Sequence, residues 1–249
     1  MHDDQGLDLG PIPLWFQIAE RLRAAVSNGD FVPGDRLPSE AELNRLYGVS
    51  RTTARAALDR LEHEGLIARR SGKGSILLPP RVELPLKTFA GFTDEMRARG
   101  LVPSYDTRAV GPRPAPREVA QSLRVKVGEP VVMVDRLLFA DGFPMATSQS
   151  WLSPAVLKGH QPPTQAELNA GSLYAWIERQ CGVRIVGGEV FILAANADAE
   201  TARSLEIETG TATVVAHQLS HSAAGEPVEF VVLHYRSDRY RLGMEWRRP

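Results

Sequence analysis

Apolar residues return every fourth position from Leu14 through Ile18 and Leu22 to Val26, the stripe of an amphipathic helix. Pro13 suits its first turn, and Asn28-Gly29 marks its end. A connector rich in turn residues, Phe31 to Pro38, follows. Ser39 then stands three residues before Glu42, the spacing of a capping box, and opens a helix carrying Leu43, Leu46 and Tyr47. Gly48 breaks that helix and Val49 plugs a tight turn. Ser50 caps a second helix running to Glu64, with Ala54, Ala57, Leu58 and Leu61 on its inner stripe and Gly65 at its end. Two short apolar runs, from Leu66 and from Ser75, flank the basic, glycine-rich tip Gly72-Lys73-Gly74. That pattern predicts a β-hairpin.

Beyond Pro79-Pro80 the pattern changes. Phe89 to Arg99 reads as a short helix closed by Gly100, and β-type runs dominate afterwards, such as Val131 to Val134 and Val228 to Tyr235. One stretch is echoed: Ala120, Leu123, Val125 and Gly128 return at one constant offset as Ala202, Leu205, Ile207 and Gly210. The turn Gly142-Phe143-Pro144 returns at nearly the same offset as Gly225-Glu226-Pro227. This is too long a period for a solenoid, so it reads as one helix–strand–hairpin unit used twice. The division expected is residues 1–78 as one domain, 79–84 as a proline-stiffened linker and 85–249 as a second domain.

Composition adds exclusions. With 29 Lys plus Arg against 30 Asp plus Glu, bulk charge announces no nucleic-acid partner. The segment from Arg45 to Pro80 is nevertheless net basic, with Arg45, Arg51, Arg55, Arg60, Arg69, Arg70 and Lys73 against Asp59, Glu62 and Glu64. A single cysteine, Cys181, excludes an internal disulfide and a cysteine-based zinc cluster. Met1 to Gly10 lacks the basic end and apolar run of a signal peptide, and no apolar run approaches about 18 residues. The reading is a soluble cytoplasmic protein with no membrane partner and no cofactor. His217, His221 and His234 lack metal-ligand spacing with carboxylates, so no metal site is expected.

A short helix, a tight turn and a second helix with arginine at its exposed start is the helix-turn-helix layout. Arg51 and Arg55, four apart, share one outer face, and arginine can donate two parallel hydrogen bonds to guanine in the major groove. The hydroxyls of Ser39, Ser50, Thr52 and Thr53 and the free N–H groups of a helix start favour phosphate. Arg70, Gly72, Lys73 and Gly74 make a small, positive hairpin tip able to approach a DNA backbone. Each residue alone also fits a solvated charged face; the ordered set argues for double-stranded DNA as partner.

These motifs carry a resemblance. Leu37 to Leu43 (LPSEAEL), Tyr47 to Thr53 (YGVSRTT) and Leu61 to Leu66 (LEHEGL) resemble the N-terminal domain of the GntR family of bacterial regulators. By that resemblance Arg51 and Arg55 read bases and backbone, Thr53 contacts phosphate and Gly72 is the wing tip. One departure is Ala41, where many members carry arginine. The remainder, Leu84 to Leu242, resembles the HutC subfamily, whose UTRA effector domain has a chorismate-lyase-like fold. The implied class is α+β: a winged helix-turn-helix domain, then an α/β domain with an antiparallel sheet.

The resemblance further implies a small-molecule site at Phe89, Ala90, Gly91, Arg136, Ser148, Ser172, Tyr174, Glu229 and Tyr235. The residues support it independently. Glu229, Val231, Leu233 and Tyr235 alternate onto one sheet face, and Ser172 caps a helix whose N–H groups suit an anion. Each also has a plain structural use: an ion pair for Arg136, a cap for Ser172, core rings for the tyrosines, a surface position for Glu229. Relatives that bind sugar phosphates carry a second arginine where Leu138 stands here, and often an acid where Ser148 stands. An effector with a single carboxylate or a less charged group is therefore expected, unless Arg184 supplies the missing charge. The function expected is a ligand-responsive regulator, a homodimeric repressor released from a near-palindromic operator by an anionic effector. An enzyme is the alternative, since the fold resembles a lyase, but no nucleophile–base pair or phosphate loop stands out. An architectural DNA protein with no ligand is the third reading.

Overall fold

The computed structural model describes residues 6–70, 72–85 and 91–243. The chain divides into two compact units, residues 1–80 and 81–249.

In the first unit, helix α1 (Leu14–Ser27) packs on α3 (Arg51–His63), with α2 (Glu40–Tyr47) alongside. Ser39 caps α2 in a full capping box with Glu42, Gly48 ends it at φ 65°, and Ser50 caps α3 by accepting from Thr53 N–H. Strands β1 (Ile67–Arg70) and β2 (Gly74–Leu77) form the hairpin, in register from Ile67↔Leu77 to Arg70↔Gly74. The backbone of 34–37 lies along β2 through Leu37 N–H to Ser75 C=O and Leu77 N–H to Asp35 C=O, each 2.8 Å. Ile18, Leu22, Leu37, Leu43, Leu58, Leu61, Ile67 and Leu77 fill one core, all but unexposed. At about 1.5–3 kcal/mol for each large side chain removed from water, this cluster holds the three helices to the hairpin.

The second unit begins with β3 (Val82–Pro85), which pairs in parallel with the last strand, β10 (Tyr240–Gly243). The expected linker thus ends sooner: Val82 is fully buried and its strand belongs to the second unit. Two prolines read locally as a linker, whereas the pairing partner lies at the far end of the chain.

Between these strands run α4 (Phe92–Arg97), β4 (Pro103–Pro114), α5 (Arg117–Leu123), β5 (Pro130–Ala140) and β6 (Phe143–Leu152). Next come α6 (Gln165–Asn169), α7 (Leu173–Cys181), β7 (Ile185–Asn196), α8 (Ala199–Leu205), β8 (Ala212–Ser222) and β9 (Pro227–Arg236). Six strands make one antiparallel sheet in the order β4-β5-β6-β9-β8-β7.

The order is symmetric. β4, α5 and β5 recur as β7, α8 and β8 at the offset of the sequence echo, and β6 recurs as β9. The repeated unit is strand–helix–hairpin, one strand longer than the echo suggested. Local geometry repeats with it. Both helices end on a non-glycine residue in the left-handed region, Arg124 at φ 57° and Glu206 at φ 53°. Gly128 N–H bonds Ala115 C=O as Gly210 N–H bonds Ala197 C=O. The halves meet at β6–β9, around the Gln149↔Val232 pair.

The outer edges of the sheet differ. Helix α6 covers β4, where Asn169 accepts from Thr107 N–H at 2.7 Å and Gln165 donates to Arg108 C=O at 3.1 Å. Strand β7 has its twelve residues almost all exposed, including Val186, Val190, Phe191, Ile192 and Leu193. Helix α5 covers one face of the sheet with Val119, Ala120 and Leu123 over Val131, Trp151 and Phe230, and α8 also packs on β6. On the other face α7 sets Leu173, Trp176 and Ile177 against Val134, Leu152 and Val228.

Candidate functional sites

The second helix of the DNA-reading motif starts at the surface. Arg51 and Thr52 are exposed, and Thr53 is half-buried. The Ser50 and Thr53 hydroxyls bond each other at 2.9 Å while Ser50 accepts from Thr53 N–H at 3.1 Å, so both are occupied in capping. Ser39 is likewise engaged in its capping box with Glu42. Asn44 donates its side-chain amide to Val49 C=O, which fixes the turn between the helices.

Arg55 departs from the expectation of a free reader. Its guanidinium grips Glu40 with Nε at 2.8 Å and Nη2 at 3.0 Å from the two carboxylate oxygens. The bond pulls the Glu40 carboxyl below its ordinary pKa. The spacing of Arg51 and Arg55 showed a shared face; it did not show an acid from the preceding helix waiting opposite one of them. Arg69 is also committed, to Asp59 at 2.6 Å and to the Arg55 carbonyl at 3.3 Å. At the hairpin tip Gly72, Lys73 and Gly74 are exposed, with the glycines at φ 75° and 82°. The Arg70 side chain lies outside the described residues.

A polar cavity of about 60 Å³ opens on the sheet face opposite α5. Its floor is built by alternation: Arg136 and Leu138 from β5, Ser148 and Ser150 from β6, Gln218 from β8, and Glu229, Val231, Leu233 and Tyr235 from β9. Helix α4 contributes Phe92, Thr93 and Glu95 after its cap Gly91; α7 contributes Leu173 and Tyr174 after its cap Ser172. Gly91 stands close to the Tyr174 ring, where a Cβ would meet it at 3.0 Å. Of the residues expected here, Gly91, Arg136, Ser148, Ser172, Tyr174, Glu229 and Tyr235 come together around this one space. Phe89 and Ala90 lie outside the described residues. Arg184 sits exposed just before β7 and does not line the cavity.

The charges in this cavity are unusual. Arg136 is 7% exposed, its guanidinium lies 5.0 Å from the Tyr105 ring centroid, and its Nε and Nη1 have no hydrogen-bond partner. Burial pushes its pKa down, opposed by the Glu229 charge. Glu229 is 2% exposed and its Oε2 is also without a partner. Burial pushes its carboxyl up, while the Ser150 and Tyr174 hydroxyls and the Arg136 charge pull it back. No ion pair joins these two described residues. A buried polar atom left unmatched costs roughly 1–3 kcal/mol, more when charged, so the cavity carries a cost that a bound molecule would relieve.

The sequence reading missed several members. Ser150 was findable, two residues from Ser148 on the same strand face. Thr93 and Glu95 lie within a turn or so of the Gly91 helix start already expected at the site, whereas Gln218 was not findable, because β8 reaches the cavity only through the tertiary fold. Burial raises the Glu95 carboxyl to about 7, with the charge of Arg99, 3.6 Å away, opposing. Glu95 also returns to the cavity the second acid that Ser148 seemed to remove. Among the described residues no three His, Cys, Asp or Glu side chains are grouped to hold a metal, and no helix is long and apolar enough to cross a membrane.

A capped helix pair with a glycine-tipped basic hairpin reads DNA, and a buried polar cavity on a separate sheet domain receives a small molecule. The two together define a ligand-responsive DNA-binding transcription regulator. Comparison with known proteins agrees. Residues 16–77 match the model of the bacterial regulatory proteins of the gntR family, and residues 98–241 match the UTRA domain. An HTH-type transcriptional regulator of Mycobacterium tuberculosis is 31% identical over 97% of this chain and 88% of its own length. The HTH-type transcriptional repressor NagR of Bacillus subtilis is 30% identical over 92% of this chain and 93% of its own. The crystal structure of PhnF from Mycobacterium smegmatis superposes with a TM-score of 0.61 at 25% identity, covering 92% of this chain and 99% of that one. The chain belongs to the GntR family of bacterial regulatory proteins and carries a UTRA effector domain. These relatives are regulators, not enzymes.

Proposed function

We propose that this protein is a cytoplasmic repressor of the HutC type, bound as a homodimer to a near-palindromic operator and released by a small effector carrying an anionic group. The observation behind the effector is the Arg136 guanidinium, buried and short of partners on the cavity floor. The α7 start at Ser172 borders the same cavity, and the positive end of a helix favours an anion. Leu138 makes the neighbouring strand position apolar, which leaves one guanidinium on the floor. That suits a carboxylate better than a phosphate, whose nearly two charges call for several donors.

DNA reading falls to Arg51, Thr52 and Arg55 at the start of α3, with Ser39, Ser50 and Thr53 near phosphate. Lys73, between Gly72 and Gly74 and beside Arg70, places a charge from the hairpin tip. The dimer is assigned to the outer edge of β7, where a long strand has a free ladder edge and an apolar surface. Two readers on a two-fold axis match two half-sites.

The test is to select duplexes from a random pool with the full chain, then titrate the selected operator with small carboxylic acids. Saturating acid lowers operator affinity by about 5–150-fold, the span of 1–3 kcal/mol of coupling. An acid that binds by calorimetry yet leaves operator affinity unchanged overturns the proposal.

A further inference from the structure

Arg136 and Glu229 flank β6 from opposite sides. Arg136 pairs with Ser148 and Glu229 with Leu152, so their backbones stand two strand repeats apart along β6, about 13 Å, with Ser150 between. Both heads line one cavity, both are almost wholly buried, and each keeps a polar atom without a partner. Opposite charges buried in one cavity gain by closing into an ion pair, because pairing recovers part of the cost of leaving water. Here they stay apart, and the space between them is where a ligand fits.

Glu95 shifts the charge count. It lines the same cavity from α4, 10% exposed at its side chain, with Arg99 only at 3.6 Å. The cavity lining therefore sets Arg136 against two carboxyl groups, one of which, Glu95, already has the Arg99 charge 3.6 Å away. A simple anion on Arg136 would satisfy the arginine and leave the unpartnered Glu229 oxygen facing a second negative charge. A molecule with a positive end as well satisfies both poles.

We propose that the effector is an amino-carboxylate: its carboxylate seats on Arg136 and its protonated nitrogen on Glu229, with Glu95 adding to the negative end. This rests on the reading of the cavity as the effector site and sharpens it from an anion to a zwitterion. Tyr174 and Ser150 hold one side of the Glu229 carboxylate, so that its unpartnered Oε2 faces the incoming N–H. The Tyr105 ring backs the guanidinium and leaves its Nε and Nη1 for the carboxylate.

The test uses the full chain, with thermal shift and calorimetry. The probes are the common amino acids and linear ω-amino acids of two to six carbons. Each is measured beside the acid lacking its nitrogen and the amine lacking its carboxylate, with glucose 6-phosphate as a further probe. The expected result is at least one amino acid that binds ten-fold or more tightly than both of its truncated partners. Glu229→Gln brings that ratio to under three-fold by weakening the amino acid toward its acid. The unliganded melting transition reports whether the variant is folded, and the ligand ratios on the unaltered chain stand without it. Acids binding as tightly as their amino acids overturn the zwitterion and leave the anionic effector standing. Glucose 6-phosphate binding ahead of every carboxylate, or no shift in any series, overturns both.

Discussion

Both side-chain oxygens of Glu40 accept hydrogen bonds from the guanidinium of Arg55, one helix of the reading motif holding the other. Arg55 is therefore oriented before DNA arrives but offset by an acid at the same surface. Removing the acid in Glu40→Ala frees one cation, and with it one more phosphate contact. The slope of log affinity against log salt should steepen by about one, with nonspecific binding gaining most. Gel-shift titrations over a series of salt concentrations on a scrambled duplex read this; an unchanged slope shows that Arg55 stays away from DNA.

Arg51 stands exposed directly after the α3 cap, and among the described residues no acid is paired with it. Arg51→Ala should weaken specific binding by about 1–3 kcal/mol and relax preference at one base pair. Lys73→Ala should weaken all duplexes alike and flatten the salt slope. Loss of base preference in the lysine variant rather than the arginine variant would reverse the assignment of helix and wing.

Glu95 predicts a pH dependence of stability. Burial raises its carboxyl from 4.5 to about 7. A carboxyl raised on folding favours the fold fully below the unfolded value, and that favour is lost as pH climbs through the folded one. Across that window the loss is at most about 3 kcal/mol, at roughly 1.36 kcal/mol per pH unit. Glu95→Gln should remove this component and melt higher than the parent at pH 8. Equal melting curves for the two proteins at pH 5 and at pH 8 would show that Glu95 is well solvated.

The β7 edge sets a prediction on assembly. Phe191 is 63% exposed and Leu193 50% exposed on a strand with one free ladder edge. A charge there disfavours strand pairing between copies, so Phe191→Glu should sediment as a lighter species than the parent at micromolar concentration. Its operator affinity should fall toward that of a single half-site. A variant that sediments with a dimeric parent moves the contact elsewhere, and a monomeric parent removes the dimer.

Much of the first unit was legible because its determinants are close in sequence. Ser39 and Glu42 are three apart, Ser50 and Thr53 likewise, and Gly48 marks the turn on its own. Glu40 and Arg55 lie 15 apart across that turn, and the caps say nothing of how two helices face each other. In the second unit, period-two alternation placed Glu229 to Tyr235 on one face, and the repeated Leu-Xaa-Val/Ile-Xaa-Xaa-Gly segments pointed to a duplicated element. What escaped was long-range pairing. The meeting of β6 with β9 joins the two halves of the sheet domain, and that of β3 with β10 joins its first strand to its last. No local pattern carries either. Gln218 entered the cavity by the tertiary fold alone, and Val82 left the linker by the second of these pairings.

The β3–β10 pairing makes the domain's entrance and exit a single two-stranded seam. Tyr240, at the start of that seam, is opposite Val82, and its ring lies 4.3 Å from that of Tyr235 on the cavity floor. Val82 itself follows closely on the last residue of the DNA-reading unit. The first strand of the sheet domain is thus joined to the cavity floor through Val82, Tyr240 and Tyr235. A ligand that displaces the Tyr235 ring would therefore press on the seam through Tyr240.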